Sequence, residues 1–138
     1  MSHPLRQRLR FESISVATQP DGRCRMEVAL EWCEQEHRGS AEGLDTHQGR
    51  IRAAAEAALA AALDAAGKRV ELQMVGIKAV RAFDGWVVVS RLNGLREGAR
   101  YPLLGAASCE AEEDLPSTAA RALLDATNRI LEPRAGRT

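Results

Sequence analysis

The chain has 138 residues, 45% of them hydrophobic and 28% charged, with 19 basic residues against 19 acidic and a formal net charge of zero. This length suits a single domain that buries a core without disulfides or metal. The balanced charge, with only 4% aromatic residues, argues against nucleic-acid binding, which needs a basic excess and stacking rings.

Leu9, Phe11, Ile14 and Val16 stand among charged and small polar residues and predict a strand whose parity breaks near Glu12 and Ser13, as at a β-bulge. Arg6, Arg8 and Arg10 beside it read as a solvated face. Pro20, Asp21 and Gly22 form a turn signal. Met26, Val28, Leu30 and Trp32 then alternate with Arg25, Glu27, Ala29 and Glu31, the pattern of a half-buried antiparallel strand. A third extended segment is expected from His37 to Gly43, where Gly39, Ala41 and Gly43 alternate and leave room for a backbone or a ligand. Asp45 or Thr46 caps a helix running from Gly49 to Gly67. Its inward stripe is Ile51, Ala54, Ala55, Ala58, Leu59, Ala62, Leu63 and Ala66. A face so rich in alanine approaches its neighbours closely, so the bulk of the core has to come from the strands.

The same design then recurs. Leu72 matches Leu9, Met74 matches Phe11 and Ile77 matches Ile14, parity break included; Asp84-Gly85 matches Asp21-Gly22, and Trp86 to Leu92 supplies the second strand. After a longer turn containing Gly94 and Gly98, Tyr101 to Cys109 gives a third strand in which Gly105 answers Gly39. Asp114 or Ser117 caps a second helix with Pro116 in its first turn and an inward stripe of Ala119, Ala120, Leu123, Leu124, Thr127, Ile130 and Leu131, where Leu124 answers Leu59. The chain therefore reads as α+β: two tandem βββα units, about 8–67 and 70–132, in one domain spanning 1–138 with a frayed tail at 133–138. One helix covers one short sheet, so the halves must share a core. Sheet area left over, including that around the second strands bearing Trp32 and Trp86, favours a homodimer.

The sequence shows no P-loop, GxSxG, HExxH or GxGxxG motif, and no apolar run approaches the ~18 residues of a membrane span. The opening MSHPLRQRLR lacks a signal-peptide core, so a cytoplasmic protein without membrane contact is expected. Cys24, Cys33 and Cys109 are odd in number and have no CxxC spacing, which predicts buried or half-buried thiols; His3, His37 and His47 lack ligand spacing, so no metal is expected. Glu110, Glu112, Glu113 and Asp114 precede a helix whose positive end favours carboxylates. Asn128 near the inner face of the last helix suits a bond to backbone or to a ligand. Arg50 and Arg52 oppose the dipole at the first helix's start, a placement that suits an acidic neighbour or an anionic ligand.

Together these features resemble the LeuA regulatory (dimerisation) domain of α-isopropylmalate and citramalate synthases. Gly49-Arg50-Ile51-Arg52-Ala53 is similar to that family's Gly-Pro-Val/Ile-Asp-Ala. Gly105-Ala106-Ala107, Ala119-Ala120-Arg121-Ala122 and Asp125-Ala126-Thr127-Asn128 are similar to its Gly-x-Gly strand and Ala-Ser-Ala…Asn-Ala-x-Asn run. The likeness covers about residues 8 to 132. Arg50 and Arg52 replace a proline and an aspartate, and Ala107 a glycine, so the family's amino-acid binding is lost or redirected; the synthase barrel and its metal-binding histidines have no counterpart here. The resemblance implies a stand-alone, non-catalytic homodimer that senses an amino acid or keto acid without a cofactor. Its interface pocket would be built from Gly39, Ala41, Gly43, Arg50, Arg52, Gly105 and Ala107. A structural module tethering a protein partner is the alternative. A small hot-dog-type enzyme is a third, against which the second helix counts.

Overall fold

Strands form where apolar and polar residues alternate, and helices where small and apolar residues recur every three or four positions. The computed structural model describes residues 8–67 and 70–131, Leu131 by its backbone alone. Along the chain come β1 (Arg10–Thr18), β2 (Arg23–Trp32), β3 (Gln35–Leu44), α1 (His47–Ala66), β4 (Glu71–Ala82), β5 (Gly85–Arg96), β6 (Ala99–Cys109), a 3₁₀ turn (Glu112–Asp114) and α2 (Leu115–Leu131). The strands make two three-stranded antiparallel sheets, β1-β2-β3 and β4-β5-β6, each followed by its helix. The architecture is α+β, βββα twice. Arg6, the Leu131 side chain and the tail 133–138 lie outside the described residues.

Cys24, Met26, Val28, Leu30 and Trp32 of β2 all lie on the helix side and are buried. The parity break in β1 is a bulge, where pairing with β2 slips between Phe11 and Ser13; β4 slips against β5 between Met74 and Gly76. Val28 pairs with Ile14 on one side and Gly39 on the other, and Ser90 pairs in the same way with Ile77 and Gly105. The two units thus correspond position by position.

Three hairpins turn on two residues each, Cys33-Glu34, Phe83-Asp84 and Glu97-Gly98, all six at positive φ. That backbone hand matches the right-handed twist of the paired strands. Two expectations are corrected here. Gly94 belongs to no turn: β5 runs on to Arg96, so that Leu95 and Arg96 pair with Arg100 and Ala99. Cys33 is exposed in its turn, whereas Cys24 is buried and Cys109 half-buried.

Thr46 is the cap of α1, its hydroxyl accepting from the Gly49 N–H at 3.0 Å, and the Gly67 N–H closes the far end on Leu63 O. The helix starts two residues before Gly49 and is buried on more than the expected stripe, because Ala53, Ala57 and Ala61 are enclosed as well. That second row lies on β3. A Cβ added at Gly39 would stand 2.3 Å from Ala61 N and 2.4 Å from Ala57 O. Gly105 repeats the contact under α2, 2.4 Å from both Ala122 O and Ala126 N. By this correspondence Leu59 and Leu124 occupy equivalent sites, although Leu124 is buried and Leu59 only half-buried. Ser117 is not a cap; it lies inside α2 and its hydroxyl donates to Asp114 O at 3.0 Å.

The helices pack on each other, and each reaches the first strand of the other unit: α1 touches β4 and α2 touches β1. Asn128 fastens that crossing. Leu9 N–H donates to Asn128 Oδ1 at 2.8 Å and Asn128 Nδ2 donates to Leu9 O at 3.1 Å, both buried. The core is therefore common to both units. Two separate sheets with a helix each differ from the single sheet around one helix that a hot-dog fold requires. Among the described residues no helix is long and apolar enough to cross a membrane.

Candidate functional site

The starts of α1 and α2 meet at a cleft of about 300 Å³, lined by His47, Arg50, Ile51, Glu112, Glu113, Leu115 and Pro116. The sharp entry from β3 into α1 depends on Gly49, where a Cβ would lie 2.1 Å from Leu44 O. This turn brings Asp45 beside the helix, and Arg50 Nε donates to Asp45 Oδ1 at 2.5 Å. That hydrogen bond is the main cause holding the Arg50 guanidinium above its ordinary pKa, against a lowering by burial, with the charge of Asp45 adding to the rise. Arg50 therefore stays cationic, and Nε is the one nitrogen of its guanidinium engaged with another described residue.

On the opposite wall the 3₁₀ turn presents Glu112 and Glu113. Glu112 Oε2 lies 3.4 Å from His47 Nε2, and the His47 ring tilts against Trp86 with centroids 5.4 Å apart. Arg81 stacks over the same indole at 5.2 Å, and Gln48 Nε2 donates to Ile77 O at 3.4 Å. Ile51 and Leu115, both buried, give the cleft an apolar base. The result is one guanidinium, two carboxylates and an imidazole around an apolar base, at two helix starts whose N–H groups favour negative charge.

The structure disperses the residues chosen from sequence. Arg50 lines the cleft. Arg52 does not: two positions along a helix is more than half a turn, and Arg52 instead pairs with Glu56 at 3.0 Å. Gly39, Ala41 and Gly43 lie on β3 facing α1, and Gly105 lies under α2, so helix backbone fills the space above Gly39 and Gly105. Ala107 borders a different groove of about 430 Å³ between β1 and β6, together with Arg8, Arg10, Phe11, Arg121 and Asn128. Polar groups in that groove already have partners: Arg10 approaches Glu31 at 3.9 Å, Arg121 stacks over Phe11 at 5.0 Å, and Asn128 holds Leu9. Sequence reasoning passed over His47, Glu112 and Glu113 as cleft residues; the repeat makes the two helix starts equivalent, but their meeting in one cleft depends on how the units pack. No protein-family model and no curated protein matches this sequence.

Proposed function

We propose that this chain is a non-catalytic sensing module, a stand-alone relative of the LeuA regulatory domain, which binds a small apolar amino acid in the cleft between the helix starts and acts as a homodimer. The observation that carries this reading is the pairing, in one cleft, of Arg50 with Glu112 and Glu113 over Ile51, Leu115 and Pro116. A free amino acid offers a carboxylate to the guanidinium, an ammonium to the glutamates and a side chain to the apolar base. A keto acid has no ammonium to offer the glutamates, so of the two ligand classes the amino acid is favoured. β1, an edge strand exposed over most of its length, supports self-association.

The test is a thermal-shift and calorimetric series with the twenty amino acids and their 2-oxo acids. A true ligand at about 100 times its dissociation constant adds roughly 2.7 kcal/mol of stability, and Arg50→Ala abolishes the response while leaving the fold intact. Equal responses to an amino acid and its 2-oxo acid, or none to any, would refute the reading.

A further inference from the structure

Because the two units correspond position by position, each serves as a control for the other, and the faces their sheets turn away from the helices differ. On β1-β2-β3 that face is charged and internally paired: Arg38 lies 3.9 Å from Glu27 and 2.6 Å from Glu36, Arg25 lies 3.7 Å from Glu42, and Arg10 approaches Glu31. At the matching positions of β4-β5-β6 the pairing is gone. Val89 stands where Glu27 does, Leu104 where Arg38 does and Val87 where Arg25 does, as the registers around Val28 and Ser90 require.

These residues make a diagonal band. It runs from Val80 on β4 through Val87 and Val89 on β5 to Ala106 and Leu104 on β6. Leu104 is 58% exposed and Val80 43%. Beyond the Val80 end, Phe83 in the β4–β5 turn is 94% exposed at φ 56°, a backbone region that a bulky residue adopts only against a steric penalty. No packing among the described residues explains a phenylalanine there. Lys78 and Arg91 line one flank of the band, and Arg100 lies farther along the same face. None of the three has an ion pair among the described residues, whereas Arg10, Arg25 and Arg38 of the other sheet all do.

We propose that this outer face of β4-β5-β6 is a docking surface for an acidic amphipathic helix of another protein. Two row spacings along the strands and two strand spacings across them give the band a length of roughly 17 Å, which is about three turns of helix. An apolar stripe on such a helix covers the valines and Leu104, and an acidic flank meets Lys78 and Arg91. A second copy of the chain fits less well. Twofold pairing with its axis across the band would set Lys78 and Arg91 against the same cations, and with its axis along the band against the flank of Ser108; neither offers them a carboxylate, since Glu71 lies at the far end of the face from Val80.

The probe is a fluorescein-labelled, helix-forming peptide of about 14 residues with leucines at the i, i+3, i+4, i+7 positions and glutamates on the flank, beside a twin carrying lysines instead. Fluorescence anisotropy with the full chain is read at roughly 50 and 500 mM salt. The glutamate peptide is expected to bind at least about tenfold more tightly than its twin and to weaken with salt. Leu104→Asp and the uncharged Leu104→Ser are both expected to weaken it by about tenfold or more, and Lys78→Glu with Arg91→Glu to reverse the preference. Leu104 is exposed, so circular dichroism of both variants should match the parent. Equal binding of the two peptides, no saturable binding of the glutamate peptide, or indifference to both Leu104 variants overturns the proposal. Self-association in sedimentation that Leu104→Asp abolishes, without peptide binding, gives the face to a second copy. Binding to vesicles of one quarter phosphatidylserine, lost in Leu104→Asp and again without peptide binding, gives it to a membrane surface; either result overturns the helix.

Discussion

Replacing Gly39 with alanine tests whether the small residues of β3 serve packing or a ligand. A Cβ at that position stands 2.3 Å from Ala61 N and 2.4 Å from Ala57 O, where ordinary contact begins near 3.4 Å, so α1 has to retreat by about 1 Å. The obstructing atoms are helix backbone, which cannot swing aside as a side chain does. Besides β3, α1 packs on α2, β2 and β4, and that leaves little room for retreat. Overpacking of this kind costs about 1–3 kcal/mol; with backbone against backbone the upper half of that range is expected, or roughly 6–12 °C in melting temperature for a chain of this size. Gly76→Ala is the matched control, since nothing lies within 4 Å of a Cβ there and its φ is not positive. It should be neutral or stabilise by up to ~1 kcal/mol through the unfolded state. Urea denaturation of both variants, with the amino-acid response measured in parallel, decides the matter. A Gly39→Ala protein with an unchanged midpoint and a lost ligand response would refute the packing argument and restore β3 as a ligand cradle.

Asn128→Ala leaves the buried Leu9 N–H and C=O without their partner, at about 1–3 kcal/mol for each orphaned group. Its signature should be a lowered urea midpoint together with faster amide exchange at Leu9. Thr46→Ala removes the hydroxyl that accepts from Gly49 N–H and should cost about 1 kcal/mol, read as a lower midpoint with the slope of the unfolding curve unchanged.

The strands and both bulges were legible in the sequence because parity is a local property: Phe11 and Ile14, like Met74 and Ile77, face one way only if a residue between them is extra. Asn93-Gly94 misled for an equally local reason, since this dipeptide is a strong turn signal. Register overruled it. Gly94 is buried in β5, where a Cβ would meet Ile130 Cδ1 at 2.8 Å and Leu103 Cδ1 at 3.1 Å, and the turn waits for Glu97-Gly98. Gly39 and Gly105 announced open space in the sequence but not what occupies it; α1 and α2 do. The separation of Arg50 from Arg52 was readable in advance, because residues two apart do not share a helix face. The approach of His47 to Glu112 was not, since it depends on how the two units meet.

The clasp between Leu9 and Asn128 spans 119 positions of sequence. While the chain is being synthesised, β1, β2, β3 and α1 emerge long before α2, and the helix that packs on β1 is α2. Leu9 must wait, its backbone groups open to water or to a chaperone, until residue 128 has left the ribosome. Contacts of such separation slow folding, because the chain entropy of closing them is lost before the contact is made. The fold is therefore completed only once α2 has been made, and its first half is at its most vulnerable to proteases and to strand-edge association until then.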